Sequence, residues 1–126
     1  TLERCRFFSQ KYPENTLIAI DGMKVVGFIS YGNFRDETIQ AGEIMALYIL
    51  KDYYGKGIAQ KLVKAALNAL DHFSEIFLWV LKENKRAIAF YQKMGFTFDG
   101  QEKILELGKP ITEIRMVYKK SSEFES

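Results

Sequence analysis

The chain has 126 residues, 18 basic and 16 acidic side chains, and a formal net charge of +2. That length predicts one domain with a substantial core, and a composition 48% hydrophobic and 14% aromatic argues against disorder. Weak, interspersed charge argues against nucleic-acid and membrane partners, no apolar run nears the ~18 residues of a membrane span, and the single Cys5 forms no internal disulfide, so a soluble cytoplasmic protein is expected.

In chain order, Leu2, Cys5, Phe8 and Tyr12 are spaced as in a helix that Pro13 closes. Leu17–Ile20 and Val25–Tyr31 read as strands around Asp21-Gly22, a dipeptide suited to a type I′ hairpin turn. A polar stretch leads to a third strand, Glu43–Ile49, and a glycine-containing turn to an amphipathic helix with Ile58, Leu62, Val63, Ala66, Leu67, Leu70 and Phe73 on one stripe. The run Ile76–Leu81 predicts a strand covered on both faces.

Asn84 caps a second helix that Gly95 ends after Met94. Strands follow from Phe96 past Gly100 and over Glu113–Tyr118, broken by Gly108-Lys109-Pro110. This order predicts an α/β (α+β) fold: a mixed, mostly antiparallel central sheet flanked by helices, with one right-handed parallel β-α-β crossover between residues 43 and 81. Residues 1–118 are expected as one domain and 119–126 as a tail, disordered or a cloning scar. The chain opens on Thr1, so a processed or truncated form is expected.

The stretch Leu50–Gln60 lies between a buried strand and the start of a helix, where amides lack partners and the macrodipole is positive. Gly55 and Gly57 carry no Cβ to hold a phosphate away, and Ala59 is small, so the stretch suits a phosphate cradle; an ordinary strand-to-helix turn has the same composition. A Walker A loop is excluded because Gly55-Lys56 is followed by Gly57, and a dinucleotide fingerprint because Gly57 is followed by Ile58-Ala59-Gln60.

The segment Tyr54-Gly55-Lys56-Gly57-Ile58-Ala59 resembles the acetyl-CoA pyrophosphate loop of GNAT N-acetyltransferases, Gln/Arg-x-x-Gly-x-Gly/Ala, with Tyr54 in place of Arg or Gln. Asn84–Phe96 resembles that family's Asn-x-x-Ala-x-x-Phe-Tyr-x-x-x-Gly-Phe block. The resemblance covers roughly residues 16–118 and implies that the family's first strand is missing. It implies direct transfer of an acetyl group from acetyl-CoA, the co-substrate, to a small-molecule or peptide primary amine in a ternary complex, with no metal. A homodimer is compatible with it, and a non-catalytic acyl-CoA sensor is the alternative.

On the same resemblance Tyr91 is the general acid for the departing thiolate, and Glu43 the general base; a core tyrosine and a strand-edge carboxylate are the plainer readings. Backbone groups of Leu47, Tyr48 and Ile49 would bind the pantetheine arm and polarise the carbonyl. The loop Tyr54, Gly55, Lys56, Gly57, Ile58, Ala59 and Gln60 would hold the pyrophosphate, Lys56 and Lys61 adding charge. Asn84 would contact the far part of CoA, although capping alone explains it. One histidine, His72, and one cysteine make a zinc site or a Cys–His nucleophile untenable, and Trp79 reads as core.

Overall fold

Alternation of apolar residues on either side of a glycine turn builds the first two long strands of the sheet. A computed structural model describes residues 5–10 and 15–120. Strands β2 (Asn15–Asp21) and β3 (Lys24–Asn33) pair antiparallel with Asp21 opposite Lys24. The turn centre is therefore Gly22-Met23, shifted by one from the expected Asp21-Gly22. Only Gly22 has positive φ (65°), which makes it type II′ rather than I′.

Residues 5–10 are also corrected: they form strand β1 (Cys5–Gln10), not a helix, and pair antiparallel with β2 from Cys5–Asp21 to Gln10–Thr16. A strand thus occupies the sheet edge ahead of the hairpin, where the sequence implied a missing one. Leu2, Tyr12 and Pro13 lie outside the described residues.

The remaining elements are β4 (Gly42–Ile49), a 3-10 turn (Lys51–Tyr53), α1 (Ile58–Ala69), β5 (Glu75–Leu81), α2 (Lys85–Lys93), β6 (Thr97–Glu106) and β7 (Pro110–Lys119). The helical stripe stops short of Leu70 and Phe73: Leu70 closes α1 by donating its amide to Ala66 O, and Phe73 packs against the core beyond it. Of the expected tail, Lys119 closes β7 and Lys120 N bonds Ser74 O at 3.0 Å, while residues 121–126 lie outside the described residues.

The sheet order is β1-β2-β3-β4-β5-β7-β6, with β4–β5 its one parallel pair among the described strands. Both helices pack on one face, where Ile44, Leu62, Val63, Ala66, Ile76, Leu78 and Met116 form the main core. Because side chains alternate along β5, Phe77 points the other way, into a smaller cluster with Phe34, Ala41 and Val117.

Two bulges shape the region around β4. Ala19 faces Gly27 but Ile20 faces Val25, leaving Val26 extra on β3, and its carbonyl accepts the Leu50 amide (2.9 Å) where the chain leaves β4. Ser30 faces Ala46 but Tyr31 faces Ile44, leaving Met45 extra on β4. The parallel ladder to β5 covers only Gly42–Ile44 and stops at that bulge. The β5-facing edge of Ala46–Ile49 therefore carries no ladder, and the sheet opens there. No helix among the described residues is long and apolar enough to cross a membrane.

Candidate active site

The turn after β4 is held at one point and open at another. Tyr53 OH donates to Asp21 Oδ2 (2.6 Å), tying the turn to the β2–β3 hairpin. Gly55 (φ 75°) and Gly57 (φ 85°) adopt left-handed conformations that L side chains rarely take, which turns the backbone into α1. Gly57 is the N-cap of α1, so no side-chain oxygen caps the helix, and its first turn holds no acidic residue. Among the described residues, the amides of Gly55 to Gln60 donate to no carbonyl or side chain; the helical ladder begins only with Lys61 N on Gly57 O (3.1 Å). Unfilled donors at a positive helix end favour an anion.

This turn forms one wall of a cleft of about 730 Å³. Of the residues singled out in the sequence, Leu47, Ile49, Tyr54, Gly55, Gly57, Ile58, Ala59, Gln60, Asn84 and Tyr91 line it. Tyr48 and Lys56 do not; Tyr48 points outward from β4, with its ring 6.0 Å from that of Phe28. Lys61 Nζ sits over the Phe7 ring of β1 (5.1 Å) rather than at the cleft.

Sequence reasoning missed Arg86 and Lys93, which line the same cleft. Their spacing with Phe90 (i, i+4, i+7) beside the Ala87, Tyr91, Met94 stripe was the available signal. The Arg86 guanidinium stacks 3.9 Å from the centroid of Tyr54. The departure at position 54 thus acquires a physical account: the aromatic ring carries a cation borrowed from α2.

Asn84 Oδ1 accepts the Ala87 amide (3.1 Å), so it does cap α2, and the same residue lines the cleft. Tyr91 is 9% exposed, with edge-on contacts to Phe90 (5.3 Å) and Phe96 (5.7 Å). Its hydroxyl has no hydrogen-bond partner among the described residues, yet no buried side-chain oxygen or nitrogen is left unsatisfied there, so it opens to the cleft. Burial pushes its pKa up to about 12.

The sign of the resulting linkage is fixed. Above pH 10 the unfolded chain loses the Tyr91 proton while the folded chain keeps it, so stability falls as pH rises toward 12. Wild type is expected to lose up to roughly 2–3 kcal/mol more than Tyr91→Phe across that interval, measured by urea unfolding at a series of alkaline pH values.

A second cleft, about 240 Å³, lies where β4 and β5 part. It shares Leu47, Asn84, Ala87 and Tyr91 with the first and adds Trp79, Leu81 and Glu113 among its walls. Two openings thus converge on one tyrosine.

Glu43 lines neither cleft. It is fully buried, and its carboxylate accepts from Arg35 N (3.1 Å), Arg35 Nε (3.1 Å) and Arg35 Nη2 (2.6 Å). Glu43→Gln is expected to cost about 1–3 kcal/mol of stability, the loss of a charge-assisted fork discounted because Arg35 is 63% exposed. A lowered urea midpoint with an unshifted pH–rate profile separates this ion pair from a base.

The model of the Acetyltransferase (GNAT) family matches residues 2–96. N-alpha-acetyltransferase 30 of Schizosaccharomyces pombe is 34% identical over 94 residues, covering 72% of this chain and 63% of that protein. A probable spermine N(1)-acetyltransferase of Bacillus subtilis subsp. natto is 36% identical over 84 residues, 61% of this chain and 55% of that one. The chain therefore spans somewhat more than half the length of these relatives. Among solved structures, a chain of the NatC complex bound to Gag peptide and CoA superposes with a TM-score of 0.70 at 26% identity, covering 84% of this chain and 71% of its own.

Proposed function

The chain belongs to the acetyltransferase (GNAT) family, and from that premise we propose that it transfers an acetyl group from acetyl-CoA to a primary amine. One observation carries the proposal: a cleft walled by unfilled amides and a second cleft through the sheet opening share Tyr91 in their walls. The relatives' names point to acetyl transfer onto amines, and the NatC structure holds CoA and a peptide.

In this reading the pyrophosphate of acetyl-CoA lies on the amides of Gly55–Gln60, with Arg86 and Lys93 supplying charge. The arm runs along the open edge of β4 at Leu47–Ile49, whose backbone groups fix the thioester carbonyl and donate to its oxygen as charge develops. The amine enters by the second cleft and its nitrogen attacks that carbonyl. As the carbon–sulfur bond breaks, CoA leaves as a thiolate that accepts a hydrogen bond from Tyr91, and the nitrogen gives up its remaining surplus proton to water.

A lysine-like amine is neutral at pH 7 only at a penalty of roughly 4–5 kcal/mol, so its proton must leave. Water takes it in this reading, because the oxygens of Glu43 are committed to Arg35; Glu43 is a positioning residue that holds β4. A cytoplasmic setting belongs to the same reading, since one cysteine forms no internal disulfide.

Acetyl-CoA binding by calorimetry, run with thiol release over an amine panel, tests the proposal. Binding with release onto at least one amine supports it; binding without release over the whole panel favours a sensor. Arg86→Ala is expected to weaken acetyl-CoA binding about tenfold, one charge-assisted phosphate contact, with a shallower salt dependence measured in the same titration.

A further inference from the structure

Two residues of the second cleft already hold an ammonium that comes from outside it. Lys103 and Glu113 face each other across β6 and β7, and Lys103 Nζ lies 3.6 Å from Glu113 Oε1. The same ammonium sits 4.2 Å from the centroid of the Trp79 ring. Trp79 on β5 and Glu113 on β7 share a sheet face, because Trp79 pairs with Arg115 and Leu81 with Glu113. Both line the cleft that leads to Tyr91, and Lys103 does not. An aromatic face beside a carboxylate is an arrangement that binds alkylammonium ions.

Lys103 is a weak occupant. Its side chain is 41% exposed, its ion pair is long, and its stem is flexible. Arg115 does not compete: its Nε is bound to Asp99 Oδ2 at 2.6 Å, and its guanidinium lies over Phe77 at 4.3 Å, farther from Trp79 at 6.0 Å. We propose that Trp79 and Glu113 form a subsite for a second, non-reacting ammonium of the acceptor, which displaces Lys103 Nζ from the ring. The acceptor class this selects is a di- or polyamine: one nitrogen held at Trp79 and Glu113, another delivered toward Tyr91. The inference rests on the amine-acetylating reading above and adds to it the substrate class.

The test uses the full chain, acetyl-CoA, and α,ω-diaminoalkanes against n-alkylamines of matched length. The diamine is expected to show a kcat/KM about tenfold higher, the size of one half-exposed cation–π and ion-pair contact. Glu113→Gln and Trp79→Leu should bring the diamine down to the level of the alkylamine. Lys103→Met should lower the KM for the diamine about threefold by removing the internal competitor, the scale of a surface ion pair. A merely structural trio would instead make Lys103→Met as harmful as Glu113→Gln.

Equal kcat/KM for diamine and alkylamine in wild type overturns the subsite while leaving acetyl transfer intact. Calorimetric titration of the diamine into protein saturated with CoA reads the subsite without turnover. If no amine is acetylated, the enzymatic reading fails on its own; the subsite stands if the diamine still binds more tightly than the alkylamine and Glu113→Gln abolishes the difference. It falls if the difference is absent.

Discussion

Tyr91→Phe is expected to lower kcat for acetyl transfer by about 10²-fold or less, with the Kd for acetyl-CoA changed less than twofold. The magnitude follows from the chemistry of the leaving group. An ordinary phenol near pKa 10 donates usefully to a thiolate whose conjugate acid lies near 8.5. Tyr91, desolvated against Phe90 and Phe96, is pushed up to about 12. Full transfer to sulfur is then uphill by roughly 4–5 kcal/mol, so in the proposed reaction the hydroxyl is expected to serve chiefly as a hydrogen-bond donor to the developing charge. One such bond to a charged group is worth about 1.5–3 kcal/mol, which sets the ceiling near 10². The same shift keeps the hydroxyl protonated well above neutrality, so no alkaline fall in kcat below pH 11 belongs to this group. Single-turnover measurements with wild type and Tyr91→Phe check both statements, and unchanged turnover removes Tyr91 from the mechanism.

Local signals that agree with their tertiary setting were legible from sequence. The α1 stripe, the Asn84 cap and the Ile76–Leu81 run each follow from a period or a cap that the fold then uses. Residues 5–10 were misread because Cys5 and Phe8 are three apart, a spacing that suits a helix; the pairing with β2 decides otherwise, and a partner strand leaves no mark on the segment it recruits. The hairpin was seen but its turn was displaced by one residue, since Asp21-Gly22 and Gly22-Met23 compete for the same glycine.

The loop side of the site was legible for a similar reason: glycines at a strand-to-helix junction carry their conformation in their identity. The opening of the sheet was not. It depends on Met45 being extra on β4, and an irregularity of one residue is invisible to a period of two. Nor was the environment of Glu43 readable, because Arg35 comes from a polar stretch that looks like any connecting loop. Trp79 read as core from its apolar neighbours, yet it is one of the residues that line the second cleft, and its ring carries the Lys103 ammonium. In each case the missing information was a contact between elements.

Gly57→Val should weaken acetyl-CoA binding by at least about 10²-fold, because it disorders the donor array rather than deleting one contact. Gly57 holds φ 85° and ψ 2° at the N-cap of α1, a conformation a β-branched residue enters only with strain. Relaxing that strain rotates the peptide planes on either side and so re-aims the amides that open α1. Losing two charge-assisted bonds, each about 1.5–3 kcal/mol, already exceeds a hundredfold in affinity. Strain alone costs about 1–3 kcal/mol of stability, so a fall in melting temperature accompanies the loss and must be separated from it. Gly100→Val supplies the separation. Gly100 has φ 93° in the β6 irregularity, with open space where a Cβ would stand, and lines neither cleft. It should lower the melting temperature comparably while leaving the calorimetric Kd for acetyl-CoA unchanged. Equal losses of affinity in the two variants would mean that the turn contributes only stability, and the anion-binding role of residues 55–60 would fall with it.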